Sequence, residues 1–279
     1  MTPAPSISII TPSFNQGAFL AEALLSVQQQ KCDELEHLVI DGESADDSAN
    51  ILRRHSEETG WKHLSWTSEP DHGQSHALNK GLARASGDII GWLNSDDRYR
   101  PGCLSYVSRI FQECPEADVV YGDYTWINEA GHTIQLRREI EFNRFILLYH
   151  RVLYIPTTAT FFRRRIIDEG NWLDESLKYA MDFDFFVRLA LRGYRFLHVP
   201  ATLGEFRFQS ASKTSTAPHR QLEEVNRLIY RTSPVLCRLE SPAARLFVLL
   251  SLRSCAAGMR YTEKLFRGYY FDRLRIRDY

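Results

Sequence analysis

No cysteine in this sequence pairs with another at the spacing of a metal or redox motif. The five (Cys32, Cys103, Cys114, Cys237 and Cys255) are scattered and odd in number, so neither a disulfide framework nor a structural zinc site is indicated. His72 and His76 have no further ligands near them, which argues against zinc there as well. Crossing a bilayer takes roughly 20 apolar residues; the longest run here, Leu246 to Leu252, covers seven and includes Ser251. Met1-Thr-Pro-Ala-Pro-Ser lacks the basic stretch and apolar core of a signal peptide, so the expectation is a cytoplasmic chain without a membrane span. No two glycines are separated by a single residue and no glycine precedes a lysine, which disfavours a dinucleotide dehydrogenase and a P-loop NTPase. H-E-x-x-H, G-x-S-x-G, internal repeats and low-complexity tracts are missing too.

What remains is a globular composition: 279 residues, 44% hydrophobic and 25% charged. The formal net charge is −1, from 34 basic and 35 acidic residues. That total hides an asymmetry. Residues 1–215 carry 22 basic and 29 acidic side chains, net −7, and residues 216–279 carry 12 and 6, net +6. We therefore expect two units, 1–215 and 216–279, that face different partners; nucleic acid is not among them.

The first half alternates short apolar runs with helical patterns. Strands are expected at Ile7–Thr11, His37–Asp41, His63–Thr67 and Asp88–Leu93. Helices are expected at Ala18–Gln29, about Asp46–Glu58 with Gly60 as its stop, and Gln74–Ala85. This repetition indicates an α/β domain with a mostly parallel sheet flanked by helices. Beyond Pro101 the expected elements are a helix to about Glu113, strands at Val119–Tyr121, Thr158–Phe162 and Arg195–Val199, a hairpin turn at Glu129–His132, and a helix over Asp182–Arg192. Gln209–Pro218 reads as a loop or linker, and His219–Tyr279 as a helical extension interrupted at Pro234 and Pro242.

The carboxylates fall where such a sheet offers a site. Asp41 closes the second strand, and Asp96 and Asp97 follow the fourth; strand C-termini line a common crevice in open parallel sheets. Adjacent carboxylates suit a hard cation such as Mg²⁺ or Mn²⁺, which bridges phosphate oxygens. The same Asn94-Ser-Asp-Asp97 could equally make a turn and cap the next helix.

Five segments stand out in order: Ile9-Ile-Thr-Pro-Ser-Phe-Asn15, Ile40-Asp-Gly-Glu-Ser-Ala-Asp-Asp47, Glu69-Pro-Asp-His-Gly-Gln74 with Ala77-Leu-Asn-Lys-Gly81, Gly87 to Asp97, and Tyr179-Ala-Met-Asp-Phe-Asp184 with Arg188-Leu189. Together, over roughly residues 6–214, they resemble the family 2 inverting glycosyltransferases of the GT-A fold. The resemblance implies a GT-A-type, Rossmann-like sheet. It also implies roles. Thr11 and Pro12 would edge the base pocket, and Asp41 would hydrogen-bond the base. Asn15, Asp71, Gln74, Asn79, Lys80, Asn94 and Ser95 would join the nucleotide-sugar site. Asn94-Ser-Asp96 stands in the place of the D-x-D motif, leaving Asp96 and Asp97 to hold the metal and diphosphate. Asp182 matches the catalytic base, with Met181 where a glutamate is frequent and Asp184 as the fallback. Phe206–Lys213 resembles the loop that closes over the diphosphate, with Arg207 and Lys213 as donors and Gln209 replacing a common histidine.

Without the resemblance, Asp182 reads as well as a helix N-cap, Asp71 as an acidic turn, Asn79 and Lys80 as a solvated face, and Trp92 as core. With it, the expected protein is a metal-dependent hexosyltransferase of cell-surface polysaccharide synthesis. It would move a sugar from a nucleotide-sugar donor, most often a UDP-sugar, to a hydroxyl of a glycan or lipid-linked saccharide. The alternatives are a sugar-nucleotide pyrophosphorylase, whose Gly-rich loop is missing after the first strand, and a non-catalytic carbohydrate- or nucleotide-binding protein with a decayed site. Residues 241–279 hold eight Arg/Lys and three acids among aromatics. They would meet an anionic membrane surface, placing the chain on the inner face of the plasma membrane, or pack on protein, including a second copy.

Overall fold

The computed structural model describes residues 4–32, 34–58, 61–150, 152–209 and 217–270. Gly60, Lys213, the boundary near Ser215 and the tail 271–279 lie outside the described residues. Strands β1 (Ile7–Ser13), β2 (Leu35–Asp41), β3 (Leu64–Ser68) and β4 (Ile89–Trp92) run parallel in the order β3-β2-β1-β4. Helices α1 (Gly17–Gln28), α2 (Ser48–Glu58) and α3 (Gln74–Arg84) connect them. Every residue of β1 and β4 is buried, Ser8, Thr11 and Ser13 of β1 included, which is why neither strand shows a polar outer face in alternation with an apolar one.

After β4 come β5 (Arg98–Tyr99), α4 (Cys103–Glu113), β6 (Val119–Ile127), β7 (Thr133–Arg137), α5 (Arg144–Tyr149), β8 (Thr160–Arg163), α6 (Arg165–Asp168), α7 (Met181–Leu191), β9 (Phe196–Arg207), α8 (Pro218–Thr232) and α9 (Pro242–Phe266). The sheet continues from β4 through β8, β6 and β9 to β5. β8 is antiparallel to both neighbours, β9 is parallel to β6, and β7 folds back on β6 as a hairpin. Two expected strands prove longer: Val119 continues to Ile127, and Arg195–Val199 becomes a strand ending at Arg207. A register shift opposite Gly122 and Asp123 absorbs Pro200 and Ala201, so the proline interrupts the ladder without ending the strand. Thr157–Ala159 form a short 3₁₀ turn ahead of β8, where a strand is expected from Thr158.

The C-terminal helices share the main core. Val225, Leu228 and Ile229 of α8 and Leu249 and Ala256 of α9 belong to one cluster with Phe185 and Phe186 of α7. α9 docks with its charges inward. Its five charged residues (Arg245, Arg253, Arg260, Glu263 and Lys264) are all partly or fully buried, and every exposed position on the helix is uncharged. Arg260 and Lys264 reach Glu139 at 2.6 and 3.1 Å, Arg253 bonds Asn226, and Glu263 accepts the Glu141 N–H at 3.0 Å. Leu246, Phe247 and Leu250 at one end and Tyr261, Leu265 and Phe266 at the other face outward, Phe247 at 72% and Phe266 at 86% exposure. No helix among the described residues is long and apolar enough to cross a membrane.

Candidate active site

The crevice above the C-termini of β1, β2 and β4 gathers most of the expected residues. Asp41, the last residue of β2, is buried. It accepts the Ser44 hydroxyl at 2.6 Å, the Ser44 N–H at 3.0 Å and the Ser68 hydroxyl at 2.7 Å. Asn15, at φ 53°, accepts the Ala45 N–H at 2.9 Å, which ties the loop after β1 to the loop after β2. Asp71 caps the Gly73 N–H at 2.7 Å and lies over Gly42, where a Cβ would come within 2.4 Å of its carboxylate. Only glycine permits that approach. Pro12 is buried in β1. Thr11 is buried too, its hydroxyl sharing a 2.9 Å hydrogen bond with His37 Nε2. Burial, with His55 nearby, lowers the His37 pKa to about 3, so this pair is a neutral link inside the sheet.

The turn after β4 is held from several directions. Asn94 Oδ1 accepts Trp92 Nε1–H and the Gln74 amide, both at 2.9 Å, and Asn94 Nδ2 donates to Asp97 at 3.2 Å. Trp92 is core, as expected. Ser95 is buried within the turn. Asp97 is 1% exposed; it also accepts the Thr158 hydroxyl and the Arg207 N–H, the latter at 2.9 Å. Asp96 is half-buried and accepts the Gln209 amide. Burial raises both pKa values, that of Asp97 further because the Asp96 charge lies beside it.

Arg207 is among the largest fully buried side chains, and its guanidinium is committed to structure. It donates to the carbonyls of Asp96, Asn128 and Glu129 at 2.8, 3.2 and 2.7 Å, pairs with Glu22 at 2.7 Å and lies over the Phe19 ring at 4.8 Å. It fixes the back of the acidic turn. Asn79 and Lys80 are likewise engaged by protein groups. Asn79 brackets Leu173 and Glu175, and Lys80 pairs with Glu69 at 2.9 Å and the Pro70 carbonyl at 3.0 Å.

Asp182 is the second residue of α7, so it is not the N-cap; Ala180 is, without a side-chain bond. Its carboxylate accepts the Phe183 N–H at 2.8 Å, and burial raises its pKa to about 6. The N-terminus of α3 connects it to the acidic turn. Gln74 bonds Asn94, while the next residue, Ser75, donates its hydroxyl to the Met181 sulfur at 2.8 Å. Asp184, the fallback, is 2% exposed and paired with Arg188 at 2.7 Å. Two contributors were not foreseen. Thr158 arrives from β8's leading turn, and Glu224 of α8 accepts the N–H groups of Tyr179 and Ala180 at 2.8 and 3.0 Å, clamping the turn that presents Asp182. Neither carries a local motif; both are visible only through contacts 61 and 45 residues apart.

Among the described residues no cluster of three or more His, Cys, Asp or Glu comes together as a metal site. Both Asp97 oxygens already accept hydrogen bonds, whereas Asp96 has one carboxylate oxygen without a hydrogen bond to a described residue. The donor set suits a cation held by one carboxylate and completed by substrate phosphates.

The frame is that of the GT-A-type glycosyltransferases. S. aureus TarS, solved with UDP-GlcNAc, superposes with a TM-score of 0.65 at 21% identity, covering 81% of this chain and 66% of that one. The mannosyltransferase PcManGT of Pyrobaculum calidifontis, solved with GDP-Man and Mn²⁺, gives 0.58 at 16% identity over 99% of this chain and 89% of that one. The chain belongs to glycosyl transferase family 2, whose model matches residues 8–170. It is 32% identical over 193 residues to the uncharacterized glycosyltransferase Rv1514c of Mycobacterium tuberculosis, covering 68% of this chain and 71% of that protein. It is 29% identical over 224 residues to the O-antigen biosynthesis protein RfbC of Myxococcus xanthus, covering 76% of this chain but 16% of that protein.

Proposed function

We propose that this family 2 glycosyltransferase moves a sugar from a nucleotide-sugar donor, a UDP-sugar in the first instance, to a hydroxyl of a glycan or lipid-linked saccharide, inverting the anomeric centre. The observation that carries the mechanism is Asp182, a half-buried carboxyl with its pKa pushed up to about 6, joined through the α3 N-terminus to the acidic turn. A base is most effective with a pKa near the working pH. The acceptor oxygen forms a bond to the anomeric carbon and its proton passes to Asp182. The bond from that carbon to the donor phosphate oxygen breaks, and the electron pair leaves on the diphosphate.

Asp41, Asn15 and Asp71 shape the end of the crevice that would take the nucleoside. Asp96 would hold Mn²⁺ or Mg²⁺, which offsets charge on the departing diphosphate; Asp97 and Arg207 fix the turn that carries Asp96. The relative named for O-antigen biosynthesis supports cell-surface polysaccharide synthesis as the setting. A panel of nucleotide sugars tested for Mn²⁺-dependent hydrolysis, with the released sugar's anomeric configuration followed by proton NMR, tests this reading. Release of the inverted anomer from one donor supports it; retention, or no release from any donor, contradicts it.

The outer face of α9 is read as self-association rather than attachment to the inner face of the plasma membrane. The cations of α9 itself are partly or fully buried, Arg267 just beyond it is exposed, and the outward groups of the helix are mostly apolar. Its six large apolar groups present roughly 700 Å², against about 800 Å² per partner in a standard interface. Bulky ends flank a small centre at Ser254, Cys255 and Gly258, so two copies crossing antiparallel about a twofold axis would match end to end. Light scattering should give a dimer mass that Leu250→Glu and Phe247→Glu reduce to a monomer. A monomeric parent chain, or one that floats with phosphatidylglycerol vesicles, removes the idea.

A further inference from the structure

Three consecutive residues at the start of α3 touch three parts of the candidate site. The Gly73 N–H donates to Asp71, at the nucleoside end, at 2.7 Å. The Gln74 amide donates to Asn94, in the acidic turn, at 2.9 Å. The Ser75 hydroxyl donates to the sulfur of Met181, the residue before Asp182, at 2.8 Å, and lies 3.4 Å from the Leu177 carbonyl. The middle bond depends on which way the Asn94 amide is turned, and that is set from the core.

A side-chain amide has one accepting atom, with two lone pairs, and one donating atom, with two hydrogens. Trp92 is buried, and its indole N–H can only donate, so the atom it meets at 2.9 Å is the Asn94 oxygen. The Gln74 amide takes that oxygen's other lone pair. Asn94 Nδ2 therefore faces the buried Asp97 carboxyl, 3.2 Å away, and the Asn94 carbonyl accepts the Asp97 N–H at 3.1 Å to close the turn. With both lone pairs engaged, the Asn94 oxygen has none left for a cation. An aspartate here could accept the same two donors, but it would set a third carboxylate against Asp97 with no hydrogen to give it. Only an amide of this length serves both sides of the turn.

We propose that Asn94 is a positioning residue, held in one orientation by the Trp92 indole, that sets the Asp96 turn against the start of α3 and, through Ser75 and Met181, against Asp182. The resemblance puts Asn94 in the place of the first D-x-D acid; its bonds give it a different task, bracing rather than binding. The spacing between Asp96, which would hold the cation, and Asp182, which would take the acceptor proton, then runs through one amide. Misplacing such groups by a fraction of an ångström costs rate more than affinity. The effect on rate rests on the transferase reading; the coupling of the three segments does not.

Two variants of the full chain test this. Trp92→Phe keeps a ring in the core and removes the N–H, while Asn94→Asp keeps the shape and removes the donor to Asp97. In hydrogen–deuterium exchange, Trp92→Phe should speed exchange by about fivefold or more in both 73–79 and 179–183, with β1 within about twofold of the parent. It should also lower the rate of sugar release about tenfold, with UDP affinity in Mn²⁺ within about threefold by calorimetry. Asn94→Asp should lower the rate as well, without tightening UDP binding in Mn²⁺. Unchanged exchange in either segment, equal acceleration in β1, or a parental rate in Trp92→Phe overturns the proposal. Tighter Mn²⁺-dependent UDP binding by Asn94→Asp overturns it too, because position 94 would then be a cation ligand. If Trp92→Phe does not fold, Asn94→Asp carries the exchange measurement with the same expectation. A parent chain that releases sugar from no donor removes the transferase reading, and exchange alone then decides the coupling.

Discussion

Replacing Asp182 with asparagine should stabilise this protein at alkaline pH while disabling it. Burial moves the Asp182 pKa from about 3.8 to about 6. The folded state therefore holds this proton more tightly than the unfolded chain does. Its contribution is fully present below the unfolded pKa and is lost as pH rises through about 6. At 1.36 kcal/mol per unit, ionising this group in place costs up to about 3 kcal/mol at pH 8 and about 1 kcal/mol at pH 4.5. Residual solvent contact lowers both figures. Asparagine carries no charge and keeps an oxygen for the Phe183 N–H. Asp182→Asn should accordingly gain on the order of 1–3 kcal/mol at pH 8, a melting shift of several degrees for a chain of this size, and much less at pH 4.5. Calorimetric melts of both proteins at the two pH values measure this directly. A variant no more stable than its parent at pH 8, or equally favoured at both pH values, refutes the burial argument.

Other consequences follow from the same contacts. Thr158→Val removes a donor from the buried Asp97 carboxyl and should cost about 1–3 kcal/mol in urea unfolding, with Thr158→Ser close to the parent. Arg207→Met takes the donor from the Asp96 and Glu129 carbonyls and one of the two cations from Glu22, which keeps Arg98. A loss of about 1–3 kcal/mol is expected by thermal scanning. Glu224→Ala frees the N–H groups of Tyr179 and Ala180 and should lower kcat by about 10- to 100-fold with donor affinity unchanged. Glu224→Gln should recover part of it, which steady-state kinetics would show.

The parallel half of the sheet was legible because β1, β2 and β4 are buried and therefore spelled as short apolar runs, each followed by a helical pattern. The region beyond Pro101 was harder for local reasons. β5 is two residues long and exists through its pairing with Gly204 and Glu205, and β9 carries a proline at its bulge. The placing of Asp41, Asp96 and Asp97 at strand C-termini followed from strand order, whereas Asp71 and Asn94 came from the family resemblance. The commitments of Arg207, Asn79 and Lys80 followed from neither, because a basic or amide side chain near a site reads the same whether it faces a ligand or braces the wall behind it. Within α9 the same holds: Arg253, Arg260 and Lys264 turn inward, while Arg267 is exposed and Arg273, Arg275 and Arg277 lie outside the described residues.

The central claim is that Asp182 takes the acceptor's proton at a nucleotide-sugar site built around the Asp96 turn. Its most direct test is the rate of sugar release from the best donor, measured for the parent and Asp182→Asn proteins alongside nucleotide affinity. A loss of about 10²–10⁴-fold in rate, with affinity within about threefold, is expected. Near-parental release from the variant would contradict it.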